Sequence, residues 1–227
     1  MDEPLARKAR AARAELRSGT LFGAALRERL LSVPASEREA WTDELLGLPE
    51  PPPDIADLPP GAVPYLPAGV DEILLMVQEV PLRPDDQFVD LGSGLGRVVI
   101  LAHLLSGARA CGVEIQEPLV RGARACGAAL ALASVRFIQA NAAEAELDGS
   151  VFFFYSPFSG RTLTRVIGRL EDLARRRPIV LCAVGLEFPG ERWLRRRETA
   201  SLALTLYDSC MPGVPCRAPS PDPAPAS

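Results

Sequence analysis

The chain has 227 residues, 48% hydrophobic and 24% charged, the balance of a globular chain with one sizeable core and not of a disordered one. A formal charge of −4 gives nucleic acid no strong general attraction, and a single histidine, His103, excludes a histidine-rich metal site. The five cysteines are widely spaced without a CxxC pair, and three of them sit in apolar or small-residue surroundings and read as buried thiols, which fits a reducing compartment, taken here as the cytoplasm. No apolar leader opens the sequence, and no uncharged run reaches the length of about 18 residues that a membrane span needs.

Residues 4–31 read as one helix or two, with Leu5, Ala9, Ala12 and Leu16 on one face and Arg7, Arg10, Arg13 and Arg17 around it. That arginine face is either an RNA- or substrate-binding lid or a solvated surface. A second helix is predicted over 36–46, with Ser36 as its cap and Glu39 three positions on. Eight prolines between Pro49 and Pro67 exclude regular structure and predict a strap or linker, with Tyr65 near its end. A further helix over 70–80 buries Ile73, Leu74 and Val77.

From Gln87 the rhythm is strand, helix, strand. Strands are predicted at 87–91, 110–115, 135–139, 150–155 and 178–183, and helices at 95–106, 118–132 and 161–176. The strands are nearly continuous apolar runs, as expected of a parallel sheet covered on both faces. The run at 201–207 alternates more and reads as an antiparallel edge, while Arg195, Arg196 and Arg197 read as a solvated turn or an anion-attracting one. Residues 211–227 hold six prolines and read as a disordered tail. The expected organisation is an extension over 1–60, a domain over 61–210 and the tail. His103 and Phe152, Phe153 and Phe154 read as core residues. Glu187 reads as a rim carboxylate and Trp193 as a pocket or core residue.

The chemistry-bearing stretch is Asp90-Leu91-Gly92-Ser93-Gly94-Leu95-Gly96, a strand end turning into a helix. Alternate glycines strip that turn of side chains, so a ligand can approach the backbone. Eighteen residues after Gly96, Glu114 closes a second strand, where a carboxylate can accept both hydroxyls of a ribose. A nucleoside cofactor is therefore expected. The glycines make GxGxG, without the third glycine of the dinucleotide fingerprint GxGxxG, and Asp90 would sit poorly beside a pyrophosphate.

These residues resemble the glycine-rich first motif of the class I S-adenosylmethionine-dependent methyltransferases, and the resemblance spans about Tyr65 to Tyr207. Leu91 to Val99 also resembles the corresponding loop of the lysine methyltransferases that modify nucleosomes. The resemblance implies a Rossmann-like methyltransferase fold, mostly parallel with an antiparallel C-terminal strand, behind an N-terminal helical extension. It implies S-adenosyl-L-methionine as cofactor, with Asp90, Gly92, Ser93, Gly94 and Gly96 beneath its methionine part. Glu114 would hold the ribose and Ile115 the adenine. Asn141 and Ala142 would flank the adenine amine, with Glu144 as an alternative acid, and Tyr65 would form a roof. Tyr155-Ser156-Pro157-Phe158 resembles the fourth motif beside the transferred methyl, making Tyr155 and Ser156 the candidate catalytic residues, with Ser156 where some amino-group methyltransferases carry Asn or Asp. The expected reaction is methylation of a nitrogen or oxygen nucleophile. A protein amine such as lysine is slightly preferred; a small-molecule acceptor and a non-catalytic cofactor-binding module are the alternatives. Strong nucleic-acid and membrane binding are not expected.

Overall fold

Each apolar run from Gln87 onward becomes a strand because its residues find cover on both faces. In the computed structural model, which describes residues 3–199 and 203–214, these runs are β1 (Gln87–Leu91), β2 (Arg109–Glu114), β3 (Val135–Gln139), β4 (Val151–Tyr155) and β5 (Val180–Val184). Two more follow, β6 (Leu194–Arg197) and β7 (Leu204–Ser209). One sheet of seven strands results, in the order β3-β2-β1-β4-β5-β7-β6. The first five are mutually parallel; β7 lies antiparallel beside β5, and β6 closes the edge antiparallel to β7.

Alternation along the strands divides the core in two. Phe88, Val151 and Phe153 point to one face, and Val89, Leu91, Phe152 and Phe154 to the other. The second face is covered by α7 (Gly160–Ala174) through Val166, Ile167, Leu170 and Leu173. The first is covered by α5 (Arg97–Ser106), with α6 (Glu117–Ala129) along β3. The N-terminal helices α1 (Glu3–Arg17), α2 (Gly23–Ser32) and α3 (Ala35–Leu46) join α4 (Val70–Glu79) on the same side. There α1 packs on α3, and α2 and α4 pack on α5. Trp41, Leu45 and Met76 therefore share one cluster with Phe88 and Phe153.

Two arginines of this extension, Arg13 and Arg38, serve helix ends. Arg13 donates to the Leu45 carbonyl at 3.1 Å and to that of Glu44, at the end of α3. Buried Arg38 donates to the carbonyls of Leu30 (3.0 Å) and Val33 (3.1 Å) at the end of α2. Such carbonyls have no partner within their helix, and a cation suits the negative end of the dipole. Two expectations change here. Ser36 is not a cap: α3 begins after Pro34 with no side-chain cap. Leu194–Arg197 is an edge strand and not a solvated turn, with Arg196 bonded to Glu187 at 3.1 Å and Arg197 paired with Asp208.

The expected tail falls partly outside the described residues, at 215–227 together with Cys216, as do Ser201 and Leu202. Met211 to Val214 form a turn, closed by a 3.1 Å backbone bond. Cys111, Cys126 and Cys182 are buried thiols. Among the described residues no helix is long and apolar enough to cross a membrane.

Candidate active site

Register brings the ends of β1, β2, β4 and β5 to one edge, with Leu91 beside Val113 and Phe154, and Tyr155 beside Val184. Ligands collect at this carboxyl edge of a parallel sheet, where strand order reverses. Here the reversal lies between β1, flanked by β2, and β4.

The bend after β1 is held open by glycine. Gly94 has φ +51°, and a Cβ there would overlap the Tyr65 ring. Its N–H donates to Glu114 Oε2 at 2.9 Å. Gly96 has another role: a Cβ there would come within 2.5 Å of the Phe137 ring, so this glycine lets α5 seat against β3 and lines neither cavity described below.

Glu114 is 7% exposed, and its carboxylate accepts three backbone N–H groups, from Gly94, from Ile115 at 2.8 Å and from Gln116 at 2.9 Å. An ionised carboxylate has about four acceptor sites. Three amides fix its orientation and leave capacity for a ligand hydroxyl. Among the described residues Glu114 is also the only charged side chain lining a cavity of about 270 Å3, otherwise walled by apolar and neutral groups. Ile115, Asn141 and Ala142 stand beside it, and Tyr155, Ser156, Pro157, Phe158 and Gly185 stand across it. The Asn141 side-chain oxygen accepts the Ala143 N–H at 3.0 Å, so the group expected to meet a ligand amine also shapes its own turn. Exposed Glu144 does not line the cavity.

The strap forms the roof, from Pro59 to Leu66. It is tied down at both ends. Gln116 accepts the Ile55 N–H at 2.9 Å and donates to Asp54 at 2.7 Å, and Asp54 in turn accepts the Tyr65 N–H at 3.0 Å. The Gln116 bond, then the Tyr65 bond, hold the Asp54 carboxyl below its ordinary value. On the far side Val63 donates to the Pro157 carbonyl at 3.1 Å and Ser159 to the Gly61 carbonyl at 2.8 Å, making a short bridge to the β4 turn. The roof is thus the strap and not the arginine face of α1, which lines no part of the cavity. Burial pushes the Tyr65 phenol up to about 12, against the pull of the nearby Arg97 charge, so at neutral pH the roof is uncharged.

Across the cavity, Ser156 adopts φ +45°, a left-handed conformation that costs a non-glycine residue about 1–3 kcal/mol. Its hydroxyl donates to the Val184 carbonyl at 2.9 Å, pinning the β4 turn to the end of β5. Burial, then the Glu72 and Glu39 carboxylates, raise the Tyr155 phenol above its ordinary value. A small adjoining cavity of about 20 Å3 is lined by Asp90, Ser93, Gly92, Tyr65, Arg97 and Tyr155 among others. The buried Ser93 hydroxyl has no partner there.

Eight of the expected residues, Tyr65, Gly92, Glu114, Ile115, Asn141, Ala142, Tyr155 and Ser156, thus line one cavity, and Asp90 and Ser93 line its annex. Gln116, Asp54 and the Val63–Pro157 bridge escape sequence reasoning. Gln116 follows Glu114 by two residues, but nothing in the sequence pairs it with Asp54. Outside the site, His103 bonds the Ala108 carbonyl at 2.8 Å, Trp193 is buried with its N–H on Glu191 at 3.0 Å, and Glu187 stays on the exposed rim with Arg196.

This sheet order, with a glycine bend after β1 and a carboxylate closing β2, is the architecture of the class I S-adenosylmethionine-dependent methyltransferases. Residues 68–133, from the approach to α4 through α6, match the family model described as Histone methylation protein DOT1. The chain is similar in structure to an RNA methyltransferase from Salinibacter ruber, solved with S-adenosyl-L-homocysteine: TM-score 0.51 and 23% identity over 63% of this chain and 92% of that one. It is also similar to the yhhF protein of Escherichia coli, with TM-score 0.53 and 19% identity over 66% of this chain and 92% of that one. No curated protein matches the chain in sequence. The chain thus has the fold of the class I S-adenosylmethionine-dependent methyltransferases, and its segment 68–133 carries the sequence match.

Proposed function

We propose that the cavity between β2 and β4 binds S-adenosylmethionine and that the chain methylates an amine, in particular a lysine side chain of a protein. One observation carries this reading: a single cavity joins the Glu114–Ile115 corner to the Tyr155–Ser156 turn. The residues present fit the cofactor. Glu114 keeps acceptor capacity for a ribose hydroxyl, Ile115 and Ala142 offer apolar contact to a base, and buried Asp90 and Ser93 suit an ammonium and a carboxylate. When bound, the cofactor supplies an electrophilic methyl on a sulfonium and leaves as a neutral thioether.

The chain's own residues then align and dry the acceptor. Tyr155, Pro157 and Phe158 wall the acceptor side and exclude water that would compete. An alkylammonium entering this wall loses solvation, which favours its neutral form, so its proton passes to bulk water before attack. Tyr155 remains a neutral phenol whose oxygen accepts an N–H of the neutral amine, which leaves the nitrogen lone pair free to face the methyl. The protein acceptor is favoured by the DOT1 match and by the acidic strap, where Glu50, Asp54 and Asp57 stand without a basic residue between Pro49 and Pro67.

The test is methyl transfer from radiolabelled cofactor into protein, RNA and metabolite fractions, paired with calorimetry using S-adenosylhomocysteine. Label recovered as methyl-lysine is expected, and Glu114→Ala is expected to weaken cofactor binding by about 10- to 100-fold through loss of a charged hydrogen-bond acceptor. Label confined to RNA or small molecules would overturn the acceptor, and no binding by the wild-type chain would overturn the cofactor.

A further inference from the structure

Arg97 is the first residue of α5, directly after the glycine bend. A cation in that position opposes the helix dipole, and the first turn of α5 offers no acid to offset it. Yet the side chain is only 7% exposed. Its charge is answered from another part of the chain. Asp43 takes the guanidinium in a fork, with bonds of 2.6 and 2.7 Å from one nitrogen and 3.0 Å from a second, and Glu39 takes the third. Glu39 and Asp43 are one turn apart on α3 and so share a face. The Arg97 nitrogen that meets Glu39 also donates to the Ala68 carbonyl at 2.8 Å, where the strap ends, and Glu39 accepts the Val70 N–H at 2.6 Å, where α4 begins. The same arginine lines the annex beside Asp90, Ser93 and Tyr65.

One guanidinium thus ties together the glycine bend, the strap's end, α3 and α4. We infer that Arg97 is a positioning residue for the cofactor site, and that Glu39 and Asp43 make the N-terminal helices a working part of that site. The inference rests on the cofactor reading given above. A planar fork is required: lysine supplies a point charge without the paired geometry and cannot satisfy Asp43, Glu39 and Ala68 together.

The experiment is calorimetric titration of the full chain with S-adenosylhomocysteine, at a temperature where circular dichroism shows each variant folded. Arg97→Lys, Asp43→Asn and Glu39→Gln are compared with wild type, and Glu114→Ala reports on the cofactor reading itself. Arg97→Lys and Asp43→Asn are expected to weaken binding by more than about fivefold, and their effects to be less than additive because they share one interaction. Glu39→Gln is expected to act in the same direction. A brace that only stabilised the fold would lower the thermal midpoint and leave the affinity of the folded variants alone. Should Arg97→Lys not fold, Asp43→Asn and Glu39→Gln, which keep side-chain shape, decide the matter. Folded variants that bind within about fivefold of wild type, while Glu114→Ala loses binding, would overturn this inference and spare the cofactor reading. A wild-type chain that does not bind would instead bring down both.

Discussion

Asp90 sits at the end of β1 with 3% of its surface exposed, and its carboxyl is raised well above the ordinary range. Burial is the larger cause, and the neighbouring Glu114 carboxylate adds to it. A raised folded value means that the protonated form favours the fold: the contribution is complete below the unfolded value, near 3.9, and fades as pH rises through the folded one. At neutral pH Asp90 therefore weighs against stability. Asp90→Asn should raise the thermal midpoint at pH 7, by about 2–4 °C per kcal/mol relieved, while weakening cofactor affinity. A ligand ammonium beside Asp90 would favour the carboxylate, so binding should release a proton and tighten as pH rises through the titration of the free protein. Calorimetry in two buffers of different ionisation enthalpy reads that proton directly. Equal heats in both buffers for wild type, or an Asn variant that binds as tightly as wild type, would refute this role.

At the scale of elements, the strap decides access. The cavity of about 270 Å3 is close to the lower end of the range of about 300–1,000 Å3 usual for small-molecule sites, and the strap from Pro59 to Leu66 forms one wall of it. The fastening is polar and local: Asp54 with Gln116 on one side, and the Val63–Pro157 bridge on the other. Gln116→Ala removes two of these bonds, those to Ile55 and Asp54. Each net hydrogen bond is worth about 0.5–1.5 kcal/mol, so the variant should cleave faster between Pro53 and Pro67 under limited proteolysis. Bound S-adenosylhomocysteine should restore protection. A cleavage rate unchanged by the substitution would show that packing alone holds the strap.

The same element marks where sequence reading ran out. The sheet and α5 to α7 were legible because apolar runs and a 3.6-residue stripe declare their own burial, as Val166, Ile167 and Leu170 do on α7. The place of Glu114 in the cavity wall was legible because it depends on one strand end. The clasp was not, since Asp54 and Gln116 are 62 positions apart and neither is unusual locally. Glu39 misled for a related reason. It stands where a capping box would place it, yet tertiary contact sends its carboxylate to Arg97 and Val70. The β6 strand was hidden because three successive arginines obscure alternation, and only pairing with β7 makes it a strand.

At the scale of the whole molecule, the N-terminal helices and the sheet form one hydrophobic body. Trp41 is 1% exposed and shares a cluster with Ile73, Met76, Phe88 and Phe153, so side chains from α3, α4, β1 and β4 are buried together. An attached but separate module would bury its own residues and meet the sheet across a polar boundary. A shared core instead couples the halves, so unfolding should be a single transition by differential scanning calorimetry, and bound S-adenosylhomocysteine should raise its midpoint. Trp41→Ala removes a large buried ring that lines neither cavity of the site, at a cost of about 3–5 kcal/mol. That single transition should move down by about 6–20 °C, at the 2–4 °C per kcal/mol of a chain this size, and keep its shift with ligand. Two transitions, of which the substitution moves one and the ligand the other, would show instead that the helices fold on their own.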